Sequence, residues 1–540
     1  MSKNKCANKT NHISFRVTAA ALIVGAAVVP SLLRAQVISV APANMPRIGT
    51  VDERFQSFNV EMLEVTGGKF WKPYKDLDAE SKAKPAANQS SPSTPAGMDP
   101  GMYKYRPPID LTNSRLRKLA AALAPAYMRV SGTWANTTYF HDSDTAAPTT
   151  PPKGFDGVLT RQQWKGVVDF SHAVDAKIIT SFATSPGTRD AAGVWTPTEA
   201  SKVLAYTKSI GGSFAAAEFM NEPTYAAMGG APKGYDAAAY GRDVAVFRPF
   251  IKQAAPDMIF LGPGSVGEGG KLTIQMGAGM LKTEDLLKAT GPVVDAFSYH
   301  FYGAASQRCA TMGAALQTTP EIALSNEWLS QAETVDAFYA SLRDKFDPGK
   351  PLWITETADA ACGGNPWAST FLDSFRYLDQ HGRLAQLGVQ VIAHNTLASS
   401  DYGLLDENTL TPRPNYWASV LWRKFMGTTV LNPGPSPAPG LHLYAQCLRG
   451  QPGGVSLLVI NTDRTAAQEL AIPLLSNRYT LTAKNLLDNT VQLNGSELKV
   501  DSEGELPPVT GAPTNSGRVV FSAASITFLA IPGAANTNCH

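Results

Sequence analysis

Eight short, apolar, β-rich runs punctuate the first three-quarters of the chain, at 55–61, 127–131, 177–182, 216–220, 258–262, 296–300, 352–355 and 388–393, with stretches of helical character between them. Strands that recur with a helix in between run parallel, because only a long crossover returns the chain to the same edge of a sheet in the same direction. Eight such units close into a (β/α)8 barrel whose ligand site lies at the C-terminal ends of the strands. The expected barrel spans residues 50–430. One of its helices is legible in detail: Thr112 or Asn113 caps it, and Leu116, Leu119, Ala120 and Leu123 share one face.

After about residue 431 the texture changes. A Pro/Gly-rich stretch, Asn432 to Gly440, leads into strand-like runs at 441–445, 455–460, 470–472, 479–483 and 525–531, separated by turns. This is the pattern of an antiparallel β-sandwich over 436–540, to which the segment 36–49 adds a strand, with 37–40 as its apolar run. Two loops stand out. The longer, 76–101, is rich in Ala, Pro, Ser and Asn and follows the first barrel strand, so it lies on the active-site side. The other, 261–272, is Gly-rich but lacks the Ser or Thr of a phosphate loop and is expected to be a turn after the fifth strand.

The first residues point to export. Lys3, Lys5, Lys9 and Arg16 precede an apolar run, 17–33, that ends in Arg34-Ala35-Gln36, the layout of a signal cut after Ala35. No later run is long and apolar enough to span a bilayer. Beyond the signal stand Cys309, Cys362, Cys447 and Cys539, an even number with no CxxC spacing, which fits disulfides in an oxidising compartment better than a zinc site. With 47 Lys plus Arg against 45 Asp plus Glu, the net charge of +2 supplies no field to hold nucleic acid.

Two short segments carry the chemistry. Ala217-Glu-Phe-Met-Asn-Glu-Pro-Thr224 puts Asn221 and Glu222 at the end of the fourth strand, where Pro223 turns the chain out of the sheet. Leu352-Trp-Ile-Thr-Glu-Thr357 puts Glu356 at the end of the seventh, across the barrel mouth. Retaining glycoside hydrolysis needs such a pair: one carboxylic acid protonates the leaving oxygen, and a carboxylate roughly 5 Å away attacks the anomeric carbon. His300 and His394 end the sixth and eighth strands, but neither has a His or carboxylate at ligand spacing, so no metal and no cofactor is expected.

From residue 55 to the end the chain resembles glycoside hydrolase family 79, the heparanases and β-glucuronidases. The likeness lies in Leu119-Ala-Ala-Ala-Leu-Ala-Pro-Ala-Tyr-Met-Arg-Val-Ser-Gly-Thr133, Ser298-Tyr-His-Phe-Tyr302, the segment Glu356 to Gly364, Asp401-Tyr-Gly-Leu-Leu-Asp-Glu-Asn408 and Asn415-Tyr-Trp417. The resemblance implies Glu222 as acid/base, Glu356 as nucleophile and Asn221 as donor to the sugar 2-hydroxyl. It also implies that Tyr302, Tyr402 and the amides of Gly363 and Gly364 hold a uronate carboxylate, that Glu61, Thr133 and Asn395 touch the substrate, and that Cys447 pairs with Cys539. Where the family has Tyr-Gly-Gly after the nucleophile, this chain has Ala361-Cys-Gly-Gly364, so one side chain near the uronate is smaller. No long equivalent of the segment excised from heparanases lies between Phe140 and Trp164, which implies a single-chain enzyme.

The expected partner is therefore a carbohydrate containing uronate, and the expected reaction is cleavage of a β-linked glucuronic acid residue from a glycan or glycosaminoglycan-like chain. Two alternatives stay open: the same mechanism on a xyloside or glucoside, and a non-catalytic carbohydrate-binding surface protein with the sandwich as its working module. The pair Glu222 and Glu356 speaks against the second, since a binder has no use for both.

Overall fold

The structure is a computed structural model that describes residues 38–81, 99–271 and 280–540. The expected export segment, the core of the 76–101 loop and Leu272 lie outside the described residues.

Eight parallel strands close a barrel: β1 (Gln56–Glu61), β2 (Ala126–Ser131), β3 (Ala176–Ser181), β4 (Phe214–Glu218), β5 (Ile259–Ser265), β6 (Ala296–Tyr302), β7 (Leu352–Ala358) and β8 (Val391–His394). Each is followed by a helix that covers it, from Ser114–Ala121 after β1 to Pro414–Phe425 after β8. The first of these is capped by Asn113, whose Oδ1 accepts from the Leu116 amide at 3.0 Å. Eight strands leave an interior just wide enough for side chains. Tyr127, Ile179, Ala216, Leu261, Ala296, Trp353 and Val391 fill its lower layer with apolar volume. Two residues further along their strands, Arg129, Glu218 and Ser298 replace it with a polar layer.

Strand ends differ from the sequence expectation where polar residues extend them. β6 runs on to Tyr302 and β7 to Ala358, because His300, Tyr302 and Glu356 find partners inside the barrel. The Gly-rich 261–265 segment is not a turn: it continues β5 to Ser265. The 76–101 loop springs from a hairpin the sequence reading missed, Gly68–Trp71 paired with Tyr103–Arg106.

The sandwich consists of β9 (Met426–Leu431), β10 (Leu441–Leu448), β11 (Val455–Asn461), β12 (Gln468–Ile472), β13 (Ser476–Thr482), β14 (Gly517–Phe521) and β15 (Ser525–Ile531), with shorter pieces. Its large sheet has nine strands, and β12 with β14 forms a second layer. The strand added from the N-terminal side is Arg47–Thr50 beside β9; in the 37–40 run, Ser39 makes only an isolated bridge to Ala471. Strand alternation sends Leu457 and Val459 to the second layer and Leu458 and Ile460 to the barrel, so the large sheet is buried on both faces. Cys447 and Cys539 are disulfide-bonded, as are Cys309 and Cys362. No helix among the described residues is long and apolar enough to cross a membrane.

Candidate active site

β6 shows how the strands build the site. Ser298, His300 and Tyr302 alternate inward with period two: Ser298 donates to Glu218 at 2.8 Å, His300 Nδ1 lies 3.0 Å from Glu222 Oε1, and Tyr302 donates to Glu356 Oε1 at 2.5 Å. On β7 that alternation breaks. Thr355 donates to Glu218 at 2.6 Å, while its neighbour Glu356 also points inward to Arg129. A register shift between β6 and β7 at this point lets two consecutive side chains share the interior.

Glu222 lies beyond the end of β4, with φ 48° and ψ 63°. The left-handed conformation is strained for a residue with a side chain and persists only where the surroundings enforce it. Here Pro223 starts a 3-10 turn on one side, and Asn136 grips the backbone N–H and C=O of Asn221 on the other, at 2.9 and 3.0 Å. One oxygen each of Glu222 and Glu356 and a nitrogen of His300 lie within 4.8 Å of one another.

Four carboxyl groups, Glu61, Glu218, Glu222 and Glu356, face two cations. Arg129, wholly buried, donates to Glu218 at 2.8 Å and to Glu356 at 2.9 Å. Burial lowers the pKa of His300, but the Glu356 carboxylate and hydrogen bonds to Glu218 and Glu222 outweigh it and push it up to about 9. Glu61 and Glu222 are driven toward the neutral form: burial raises both, Glu356 adds to the rise, and Glu61 ends well above the usual range. Glu218 goes the other way, because Arg129, His300 and Thr355 overcome its burial.

A cavity of about 120 Å³ opens over this cluster. Of the expected residues, Glu61, Thr133, Glu222, Tyr302, Glu356, Asn395 and Tyr402 line it. Asn221 sits behind: its Oδ1 accepts from Arg129 at 2.8 Å, and its buried Nδ2 has no partner, a donor in waiting. Gly363 and Gly364 are buried and are not among the lining residues; the Gly363 carbonyl accepts from Ser400 Oγ at 2.9 Å. They were expected to present exposed amides, but Trp71 of the hairpin packs over Gly363, where an added Cβ would lie 2.6 Å from Trp71 Cβ. The tyrosines differ from each other. The Tyr302 hydroxyl gives its proton to Glu356, whereas that of Tyr402 accepts from Asn395 Nδ2 at 3.2 Å, which leaves its own proton for a ligand.

His300 was read as having no carboxylate at ligand spacing, and the fold supplies two. Glu222, His300 and Glu356 are thus a trio that could hold a metal ion. The Arg129 guanidinium, 2.9 Å from Glu356 and 3.2 Å from His300 Nε2, opposes a further cation there. His394 is a structural histidine: it bonds the Tyr402 carbonyl at 2.9 Å, and burial pushes its pKa down to about 3. The sequence reading gave no role to Arg129 or Glu218. The inward alternation Tyr127/Arg129 and Ala216/Glu218 is the signal that could have found them.

Comparison with known proteins adds to this geometry. The family model described as glycosyl hydrolase family 79, N-terminal domain, matches residues 107–382. The heparanase of Mus musculus is 27% identical over 497 residues, covering 79% of this chain and 88% of its own. The baicalin-β-D-glucuronidase of Scutellaria baicalensis is 30% identical over 190 residues, 34% of this chain and 36% of that protein. Among solved structures, a 4-O-α-L-rhamnosyl-β-D-glucuronidase from Fusarium oxysporum superposes with a TM-score of 0.61 at 12% identity, covering 92% of this chain and 99% of that one. At that identity the likeness is one of fold.

Proposed function

This chain belongs to glycoside hydrolase family 79 and is a glycoside hydrolase, and from that premise we propose that it removes β-linked glucuronic acid residues from glycans or glycosaminoglycan-like chains with retention of configuration. The observation that carries the proposal is the approach of the Glu222 and Glu356 carboxylates to within 4.8 Å. Retaining enzymes hold their pair about 5–5.5 Å apart, and inverting enzymes need about 6.5–9.5 Å to admit a water. Glu222, with its pKa raised by burial and by Glu356, carries the proton for the leaving oxygen. Glu356, fixed by Arg129 and Tyr302, attacks the anomeric carbon, and Glu222 then activates the water that releases the sugar. In this reading the Asn221 amide donates to the 2-hydroxyl, and the phenol proton of Tyr402 to a uronate oxygen. Two disulfides fit an exported protein.

Two observations favour a neutral sugar instead: among the described residues lining the cavity there is no Lys or Arg, and Gly363 and Gly364 lie behind Trp71. A panel of aryl β-glycosides with one leaving group decides, and the glucuronide is expected to be hydrolysed fastest. Glu222→Gln and Glu356→Gln should each abolish turnover with the fold intact. A 2-deoxy-2-fluoro glucuronide should label Glu356, and labelling elsewhere, or product of inverted configuration, would sink the mechanism.

A further inference from the structure

Three loops frame the part of the cavity where Tyr402 stands, and loops hold a constellation only when something outside their own backbone fixes them. After β7 comes the turn of Cys362, Gly363 and Gly364; after β8, the segment of Ser400, Asp401 and Tyr402; after β1, the hairpin that lays Trp71 on Gly363. A dipeptide from a fourth loop, after β6, reaches all three. The Arg308 side chain is 1% exposed. Its Nη1 donates to the Lys72 carbonyl beside the hairpin, and its Nη2 to the Asp401 carboxylate and, at 3.5 Å, to the Gly364 carbonyl. The guanidinium lies 4.3 Å from the centre of the Tyr74 ring, and the Arg308 N–H donates to the Tyr74 hydroxyl at 3.0 Å. The next residue, Cys309, is disulfide-bonded to Cys362. Asp401 closes the circuit: its carboxylate accepts from the Tyr74 N–H at 3.2 Å, and its own N–H donates to the Gly363 carbonyl at 3.3 Å.

We propose that Arg308 and Cys309 form a clamp that determines specificity by holding Tyr402 in register for the substrate carboxylate, with the Gly363-Gly364 turn as part of the frame behind it. The clamp does not line the cavity, so Arg308 is a positioning residue that acts through Asp401 and Tyr402. Arginine suits the task because its planar fork joins several acceptors in one fixed plane, which an ammonium cannot do. A buried ion pair adds little to stability over an apolar replacement, and its best-attested use is to select one arrangement among several. The inference rests on the uronate reading above.

The test compares a glucuronide and a glucoside of one chromogenic leaving group on the unmodified enzyme and on Arg308→Lys, Arg308→Met and Asp401→Asn, with melting temperature followed alongside. With the clamp cut, the glucuronide-to-glucoside ratio of kcat/KM should fall about tenfold or more, as expected when one charge-assisted hydrogen bond is misplaced. The loss should appear mainly in KM for the glucuronide, and Lys should restore only part of it. Removing the disulfide with Cys309→Ala/Cys362→Ala should lower the same ratio. If Arg308→Met does not fold, Asp401→Asn keeps the guanidinium and nearly the same volume and carries the same measurement. Parallel losses on both substrates, with the ratio unmoved, would overturn the clamp even if melting temperatures drop. An unmodified enzyme with no preference for the glucuronide would instead bring down the uronate reading, and the clamp with it.

Discussion

Glu222 is held between opposing influences, and the pH profile should report them. Burial and the Glu356 carboxylate raise its pKa above 4.5, and His300 pulls it down. The acid must be protonated to serve the leaving oxygen, so kcat/KM should fall on the alkaline side as Glu222 loses its proton. His300→Gln removes the lowering influence, and the alkaline limb should move to higher pH; a limb that stays or moves down would remove His300 from the proton economy of the site. The tyrosines make a second pair of predictions. Tyr302→Phe takes a hydrogen bond from Glu356, the proposed nucleophile, and should slow glucuronide and glucoside alike. Tyr402→Phe should cost the glucuronide more than the glucoside by roughly ten- to a hundredfold, the worth of one hydrogen bond to a charged group, about 1.5–3 kcal/mol. Parallel kinetics on the two substrates separate these outcomes. At this scale the sequence singled out Glu222 and Glu356, which the structure brings together at one cavity, because Pro223 and the strand ends flag them. It hid Glu218 and Arg129, because a buried ion pair inside a strand leaves no local mark except which face it occupies.

At the level of elements, the order and number of the barrel strands were legible from hydrophobic runs, and their C-terminal ends were not. The sixth run stopped short of Tyr302 and the seventh short of Glu356, a charged residue that propensity assigns to loops and that its partners inside the barrel keep in the strand. The shift between β6 and β7 was invisible for a related reason: a bulge is fixed by the neighbouring strand. The turn after β2 shows how tightly such ends are fitted. Gly132 has φ +93°, and a Cβ there would fall 1.5 Å from Glu61 Oε2. Gly132→Ala must therefore either displace Glu61 or strain the turn. The expected result is a loss of kcat/KM on every substrate, with a destabilisation of roughly 1–3 kcal/mol from the left-handed conformation alone. Wild-type kinetics in a stable Gly132→Ala protein would show that Glu61 is a bystander in the cavity.

Across the whole molecule, the barrel and the sandwich meet through the helix Phe371–Leu387, where a Cβ on Gly382 would lie 2.2 Å from the Tyr444 ring. Tyr444 also donates to Asp379 at 2.6 Å, and Asp379 takes a further bond from Arg383 at 2.5 Å. The two layers were foreseeable from the change in texture after residue 431. The fit between them was not, since Gly382 and Asp379, which help to make it, sit in a barrel helix that has no sequence signal for a partner. At the far side of the sandwich the 42–45 segment and the C-terminal segment are fastened together. Asn536 Nδ2 donates to the carbonyls of Pro42 and Met45 at 2.8 and 2.9 Å, the Gly453 N–H donates to the Cys539 carbonyl at 2.6 Å, and Cys539 is bonded to Cys447 over a separation of 92 residues. Closing a loop of that length restricts the unfolded chain by about 4–5 kcal/mol in the chain-entropy account. Cys447→Ala/Cys539→Ala should therefore lower the melting temperature by several degrees. Catalysis at 25 °C should be untouched, because Cys447 lies on the sandwich strand β10 and the proposed catalytic pair, Glu222 and Glu356, lines the barrel cavity. Calorimetry and kinetics on the same preparation check both halves. A melting temperature equal to that of the unmodified protein would show that Asn536 and the sheet hold the C-terminal segment without the bridge.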